Sequence, residues 1–325
     1  MSANNGLFQR YSKNPILFPK IDSWWESKAV FNCSTLYDGQ NVNMLYRAVG
    51  EYDYYISRIG YAQSVDGYTF ERRENPVIDI TEDYEKYGIE DPRITMIDDD
   101  IFITYVVLSD YVKFRPTVSS ALAVTKDFLE FSKMGIISNP LENNKDIVFF
   151  PEKFAVKDYS SKIKENVYLS LRRPSHFIGP EYGTDKPSIW LYKGSSLTEM
   201  NEHKVIIKPE QDWENLKIGA GPAPIKTKKG WLLIYHGVNQ EKVYRAGAVI
   251  LDLNDPSKVI YRSSRPILEP FEPYELFGDV NNVVFPTGTA IIDNNLFLYY
   301  GGADKVCCVA TVDLDTLLDY ITGSN

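Results

Sequence analysis

Cysteine is scarce in this sequence, with three in 325 residues, and Cys307 and Cys308 adjoin while Cys33 is remote. That spacing offers neither a metal-binding set nor a disulfide framework, so the three are read as buried reduced thiols. No window reaches the ~18 apolar residues of a membrane span, and the polar stretch 1–11 has no apolar signal region. These absences predict a cytoplasmic protein with no membrane partner. Positive charge is in deficit as well: Lys and Arg number 35 against 44 Asp and Glu, a net charge of -9. Such a balance argues against a nucleic-acid partner. Sustained helical periodicity is missing everywhere except 314–321 near the end.

Aromatic residues, in contrast, are plentiful. Twenty-three Tyr bring the aromatic share to 14%, which fits both an all-β architecture and a sugar-binding cleft. The length allows one large domain spanning 1–325.

One pattern is written five times. A short strand crosses a polar turn into a strongly apolar second strand at 34–37 to 44–49, 94–97 to 101–108, 153–156 to 167–172, 223–227 to 231–238 and 289–292 to 296–301. The turns, such as Asp38-Gly39 and Asp293-Asn294-Asn295, are hairpin signals. A third strand follows each hairpin, and a fourth closes the first four copies at 75–78, 135–137, 204–207 and 265–268. The last copy lacks a fourth, and a matching segment, 14–17, precedes the first copy. Four-stranded units repeated radially make a β-propeller. The fold predicted is therefore all-β, a five-bladed propeller with four-stranded blades whose N-terminal strand closes the last blade.

In a propeller the start of each first strand and the end of each second strand share one mouth of the central channel. Those positions here carry Asn32, Arg47, Glu90-Asp91-Pro92-Arg93, Glu152, Arg172-Arg173, Tyr235-His236 and Gly301 to Asp304. Loops assigned to the same face add Arg58, Arg115, Lys217 and Arg245, so an acidic protein gathers cations around one opening. An isolated acid, Asp91, stands among them. A concave aromatic site of this kind fits a sugar and a phosphate in one pocket, because the planar fork of Arg and the point charge of Lys both suit phosphate oxygens.

The strings GIEDPRIT (88–95), FPEK (150–153), RP (173–174), GAGP (219–222), WLLIYHGV (231–238), FPTG (285–288) and YYGGAD (299–304) resemble glycoside hydrolase family 130, the β-mannoside phosphorylases and related β-mannosidases. The resemblance covers nearly the whole chain, and it too implies a five-bladed propeller. It implies inverting phosphorolysis, in which phosphate attacks the anomeric carbon of a terminal β-mannosyl residue and releases α-mannose 1-phosphate. Asp91 is then the general acid, acting through the 3-hydroxyl of the mannose. Phosphate falls to Arg173, Lys217, Tyr235 and His236, with Arg115 as a further member. The mannosyl residue falls to Asn32, Arg47, Arg93 and Asp304, Arg93 serving alternatively to hold Asp91 by an ion pair. Inorganic phosphate is a co-substrate, and no metal or organic cofactor is implied. The long insert 175–187, with Phe177, Glu181 and Tyr182, is assigned to the acceptor side.

Phosphate is already an anionic nucleophile, so a phosphorylase needs cations where an inverting glycosidase needs a second carboxylate to activate water. Three alternatives stay open: a β-mannosidase using water, a mannosyltransferase drawing on mannose 1-phosphate or a nucleotide sugar, and a glycan-binding propeller without catalysis. The linkage, β-1,2 or β-1,4, is open as well. Homo-oligomers are common in the resembled family.

Overall fold

In a computed structural model, residues 6–112, 115–157 and 164–323 are described. They form five small antiparallel sheets arranged as the blades of a β-propeller. Blade 1 contains strands Ala29–Tyr37, Val42–Val49, Ser57–Ser64 and Glu71–Arg72 from the channel outward. Blade 2 follows with Ile89–Ile97, Asp100–Val112, Arg115–Thr125 and Ser132–Ile136. In blades 3 and 4 the innermost strand comes in two pieces, Asn144–Phe149 with Phe154–Lys157 and Lys217–Ala220 with Ile225–Thr227. Blade 5 runs Val284–Ile292, Asn295–Gly302 and Val306–Asp313, and its fourth strand is Gln9–Arg10 from the N-terminal region. The ring is thus closed by the N-terminal segment, as the repeat pattern predicts. A helix, Leu314–Thr322, follows the last blade, and no helix among the described residues is long and apolar enough to cross a membrane.

The closing strand lies a few residues earlier than expected. Segment 14–17 contributes a single bridge, Leu17 to Cys307, while Gln9 and Arg10 pair with Thr311 and Ala310. Blades 1 and 4 repeat this arrangement: their fourth strands end at Arg72 and Arg262, and Ile78 and Leu268 then bridge the third strand at Ile59 and Ala246. The sequence match between these segments was sound, but it marked the bridge rather than the strand.

A buried clamp recurs in four blades. A glutamate ahead of the innermost strand accepts a hydrogen bond from a second-strand tyrosine and pairs with a cation on the fourth strand. The sets are Glu26, Tyr46 and Arg72; Glu85, Tyr105 and Lys133; Glu214, Tyr235 and Arg262; and Glu275, Tyr300 and Arg10. The tyrosine bonds span 2.7 to 3.0 Å. Arg10 supplies the cation of blade 5, so electrostatics as well as backbone pairing ties the chain's two ends together. In blade 3 Arg172 occupies the tyrosine position, bonded to Ser170 and the Ile137 carbonyl and lying 4.6 Å from the Tyr192 ring.

Apolar faces of neighbouring sheets pack between blades, with Trp25, Trp231, Tyr299 and Tyr300 among the largest fully buried side chains. Burial at roughly 25 cal/mol per Å² makes these interfaces the main stabilising contribution. They fix where the five innermost strands stand, and so fix the channel.

Candidate active site

The innermost strands are longer than the repeat pattern predicts, and the additional residues build the site. Register breaks interrupt them between Phe31 and Ser34, between Glu90 and Arg93, and between Lys145 and Val148. Within each break a residue adopts a left-handed backbone: Asn32 at φ 51, Asp91 at φ 52 and Asp146 at φ 57. Asn and Asp tolerate that conformation better than other side-chain-bearing residues. A bulge redirects a side chain, and here it aims three polar groups from three blades into one end of the channel.

They meet in a cavity of about 180 Å³. Its lining includes Asn32, Arg47, Glu90, Asp91 and Asp304. Oδ1 of Asp91 accepts from Asn32 Nδ2 at 2.7 Å and faces Arg47 Nη1 at 3.4 Å. Arg47 also donates to Glu90 at 2.7 Å and to Ser57 at 3.1 Å. Gly301 is required for the Asn32 contact, since a Cβ there would stand 2.3 Å from Asn32 Oδ1. The carboxyl of Asp304 is pushed up to about 7 by burial first, with Asp91, Glu90 and Asp279 adding to the rise against Arg47.

The rest of the lining is Lys145, Asp146, Arg173, Lys217, His236, Tyr244 and Phe285, with Lys145 reaching Glu90 at 3.3 Å. Asp146 organises it. One carboxylate oxygen lies 2.6 Å from Arg173 Nε and 3.8 Å from His236 Nε2, and the other lies 3.5 Å from Arg93 Nη2. Burial opposes the charge on Asp146, but Arg173, His236 and Arg93 prevail and hold the carboxyl well below the usual range. Gly219 makes the approach feasible, because a Cβ there would come within 2.3 Å of Asp146 and 2.4 Å of His236.

Lys217 lies 5.2 Å from the Tyr244 ring and has no carboxylate at ion-pair distance among the described residues. Burial, then the Arg173 charge, lowers its ammonium to about 8. Burial likewise lowers His236 to about 3, so this imidazole is neutral near pH 7, and its Nδ1 has no hydrogen-bond partner among the described residues. A fixed guanidinium, a labile ammonium and a neutral imidazole converge on one space. That combination suits an anion with both acceptor oxygens and a hydroxyl.

Several sequence-predicted members stand elsewhere. Tyr235 is fully buried and donates to Glu214 at 2.7 Å within the blade 4 clamp. Adjacent strand residues face opposite ways, so His236 enters the pocket and Tyr235 cannot. The same alternation admits Arg173 and excludes Arg172. Arg93 is 1% exposed and lies behind the lining, bonded to the Gly221 carbonyl and to Asp146. It reaches the backbone carbonyl of Asp91, and among the described residues it makes no ion pair with that residue's carboxylate. Arg58 and Arg245 pair with Asp79 and Glu269 away from the cavity. The side chain of Arg115 lies outside the described residues, as does part of the 158–166 turn.

The 175–187 insert contributes no lining residue. Its Phe177 stacks on Tyr182 at 4.6 Å and both pack against Trp190, toward the outside of blade 3. Sequence reasoning missed Asp146 and Lys145. Lys145-Asp146 is the blade 3 counterpart of Glu90-Asp91, at the equivalent register break of the innermost strand. Tyr244 and Phe285 were missed as well, although Phe285 opens one of the recognised strings.

A five-bladed propeller whose channel mouth joins an acid to a cation cluster defines a carbohydrate-active enzyme built to handle an anion. The chain belongs to glycoside hydrolase family 130: the family model described as β-1,4-mannooligosaccharide phosphorylase matches residues 9–323. A 1,2-β-oligomannan phosphorylase of Thermoanaerobacter sp. (strain X514) is 40% identical over 94% of this chain and 97% of the relative. A β-1,2-mannobiose phosphorylase of the same organism is 37% identical over 94% and 96%. Among solved structures, the β-1,2-mannobiose phosphorylase of Listeria innocua, in complex with β-1,2-mannobiose, aligns at a TM-score of 0.83 with 28% identity, covering 97% of this chain and 99% of that one.

Proposed function

We propose that this enzyme is an inverting phosphorylase of terminal β-1,2-linked mannose, converting a β-manno-oligosaccharide and inorganic phosphate reversibly into α-mannose 1-phosphate and a shortened acceptor. The observation that carries the reading is that Asp91 shares one small cavity with the Arg173, Lys217 and His236 group. In the reaction a phosphate oxygen forms a bond to the anomeric carbon as the glycosidic C–O bond breaks. The bonding pair leaves with the acceptor oxygen, which takes the proton of Asp91, directly or through a sugar hydroxyl. Arg173 and Lys217 stabilise the phosphate on the opposite side, and neutral His236 directs its oxygens. No cofactor enters these steps.

Two of the other carboxylates that line the cavity are committed to cations. Asp146 is held by Arg173 and Arg93, and Glu90 by Arg47 and Lys145. That disposition favours phosphate over a base-activated water as the nucleophile. The β-1,2 linkage is supported by the names of the two relatives at 40% and 37% identity. A cytoplasmic location accords with a charged product that membranes retain.

Product analysis after incubation with β-1,2- and β-1,4-mannobiose, each with and without phosphate, tests the reading. Mannose 1-phosphate formed only with phosphate, and faster from the β-1,2 disaccharide, is the expected outcome. Free mannose at equal rates in both conditions would make the enzyme a hydrolase. In the phosphate arm, Asp91→Asn removes turnover while mannobiose still binds.

A further inference from the structure

Blade 1 passes from its second to its third strand through Gly50-Glu51-Tyr52-Asp53-Tyr54-Tyr55-Ile56, on the side of the channel mouth and just beyond Arg47. The Glu51 carboxylate shapes this loop by accepting the backbone N–H groups of Tyr54 at 2.9 Å and Ile56 at 3.1 Å. Within it Tyr55 is left-handed at φ 55, an outlier for a bulky side chain that persists only where the surroundings impose it. The outcome is a Tyr55 ring packed on Ala29, Phe31 and Val49, with its centroid 5.8 Å from the guanidinium carbon of Arg47. The Phe31 ring stands 4.8 Å from the same carbon. Arg47 bonds Glu90 and faces Asp91, so two rings support the cation beside the acid.

The hydroxyl of Tyr55 crosses the seam where the ring closes. It donates at 3.0 Å to Oδ2 of Asp279, in the loop ahead of the first strand of blade 5, and the Tyr52 hydroxyl donates to Oδ1 of the same carboxylate at 3.0 Å. Lys305, from the turn between the second and third strands of blade 5, pairs with Oδ1 at 2.9 Å and also bonds the Tyr52 hydroxyl. The rings of Tyr52 and Tyr55 stack with centroids 6.0 Å apart and planes 14° from parallel. None of these four side chains lines the cavity. A partly exposed ion pair of this kind contributes little to stability, and the outer edge of the seam is already closed by Gln9 and Arg10 on Thr311 and Ala310. What the Asp279 cluster fixes is the edge at the mouth.

We propose that Asp279 is a positioning residue: by holding the Tyr55 hydroxyl from blade 5 it keeps the Tyr55 ring against Arg47, and through Arg47 it keeps the contacts to Asp91 and Glu90 aligned. Without that anchor the strained Tyr55 backbone relaxes and withdraws the ring. The Arg47 contact to Asp91 spans 3.4 Å, against 2.7 Å to Glu90, so a small rotation of the guanidinium gives up the acid first. Tyr52 shares the Asp279 carboxylate, but its ring faces Lys28 and Lys305, 5.8 and 5.1 Å from their ammonium nitrogens. Two tyrosines on one anchor thus separate positioning from mere packing. That the positioned acid acts on a mannoside rests on the function proposed above; the placement of Arg47 belongs to the free protein.

Turnover and a spectroscopic probe test it. With β-1,2-mannobiose, Asp279→Ala and Tyr55→Phe should each lower kcat/KM roughly tenfold, as for a slightly misplaced reacting group, with phosphate KM unchanged. Because both act along one path, the double variant should be no worse than the poorer single one. Tyr52→Phe should keep the unaltered rate. Unchanged rates in Asp279→Ala and Tyr55→Phe, equal losses in the two tyrosine variants, or fully multiplicative losses in the double variant would each overturn the proposal and leave the cluster a structural clasp. In the substrate-free protein the side-chain Nε–H resonance of Arg47, assigned by its absence in Arg47→Lys, should move in Asp279→Ala and Tyr55→Phe and stay in place in Tyr52→Phe. A resonance unmoved in all three would overturn the proposal as well. Failure of phosphorolysis in the unaltered enzyme would sink the functional reading alone, and the resonance would still decide what holds Arg47.

Discussion

Asp146 and Arg173 are joined by a 2.6 Å ion pair whose side chains are only 3% and 9% exposed. The pair spans two strands of blade 3, and through the same carboxylate it reaches Arg93 of blade 2 and His236 of blade 4. One buried anion thus presets the cations of an anion site and crosslinks three blades. Removing it should damage both binding and stability. Asp146→Asn keeps the volume and strands the Arg173 and Arg93 guanidiniums without a counter-charge, a loss of about 3 kcal/mol for a broken buried pair. The expected result is an earlier urea midpoint together with a phosphate KM raised roughly tenfold, about 1.4 kcal/mol. A stable variant with normal phosphate dependence would show that Asp146 organises neither.

Tyr235→Phe separates the neighbouring positions of the Tyr-His pair. The hydroxyl of Tyr235 serves Glu214 and Arg262 inside blade 4 and never meets the cavity. Its removal should cost about 1 to 2 kcal/mol in chemical denaturation, the range for a buried hydrogen bond to a charged group. Phosphate KM should not change. A raised KM with intact stability would return Tyr235 to the anion site where the sequence had placed it.

The contrast shows what the sequence made legible. Hairpins were readable because turn dipeptides such as Asp38-Gly39 flank apolar runs, and the repeat of those hairpins carried the propeller. Asn32, Asp91, Arg173, Lys217 and His236 followed from strand ends and familiar strings. The first halves of the innermost strands were hidden, because a bulge with a left-handed Asn or Asp breaks the two-residue alternation that marks a strand. Asp146 disappeared for that reason. Tyr235 was misassigned because adjacency in sequence means opposite faces on a strand, and its partner Glu214 is remote in the pattern. The packing of Phe177 and Tyr182 onto Trp190 was not legible, because only tertiary contacts decide it.

Lys217 predicts an alkaline limit on phosphate binding. Its ammonium, lowered to about 8 by burial and the Arg173 charge, becomes neutral in the free enzyme just above physiological pH. Apparent affinity for phosphate should therefore weaken from about pH 8 upward. Lys217→Arg stays charged throughout, so its phosphate KM should lack that additional rise even if its level is higher. The ionisation of phosphate itself is common to both proteins and cancels in the ratio. Stability moves oppositely: the unfolded lysine keeps its proton up to 10.5, so folding gains as pH climbs from about 8 toward that value. A KM ratio independent of pH between 7 and 9.5 would exclude Lys217 as the titrating group.

His236 predicts acid lability. In the folded protein it protonates only at about 3, because burial and then the neighbouring cations Arg173, Lys217 and Arg93 outweigh Asp146, whereas the unfolded imidazole protonates at 6.5. Between those values the unfolded chain binds a proton that the folded chain refuses. Stability must then fall as pH drops from 6.5 toward 3, at a limiting slope near 1.4 kcal/mol per pH unit for one proton. Asp146 adds to the loss only below the ordinary carboxylate range, since its folded value is depressed and its unfolded value is 3.8. His236→Gln removes the first contribution and keeps a neutral side chain in place. Urea denaturation at pH 7, 6, 5 and 4 should find the variant less stable at neutrality but losing stability less steeply with acid, so the two curves converge. Parallel curves would mean that His236 already carries its proton in the folded enzyme, and the anion site would then hold a third full positive charge beside Arg173 and Lys217.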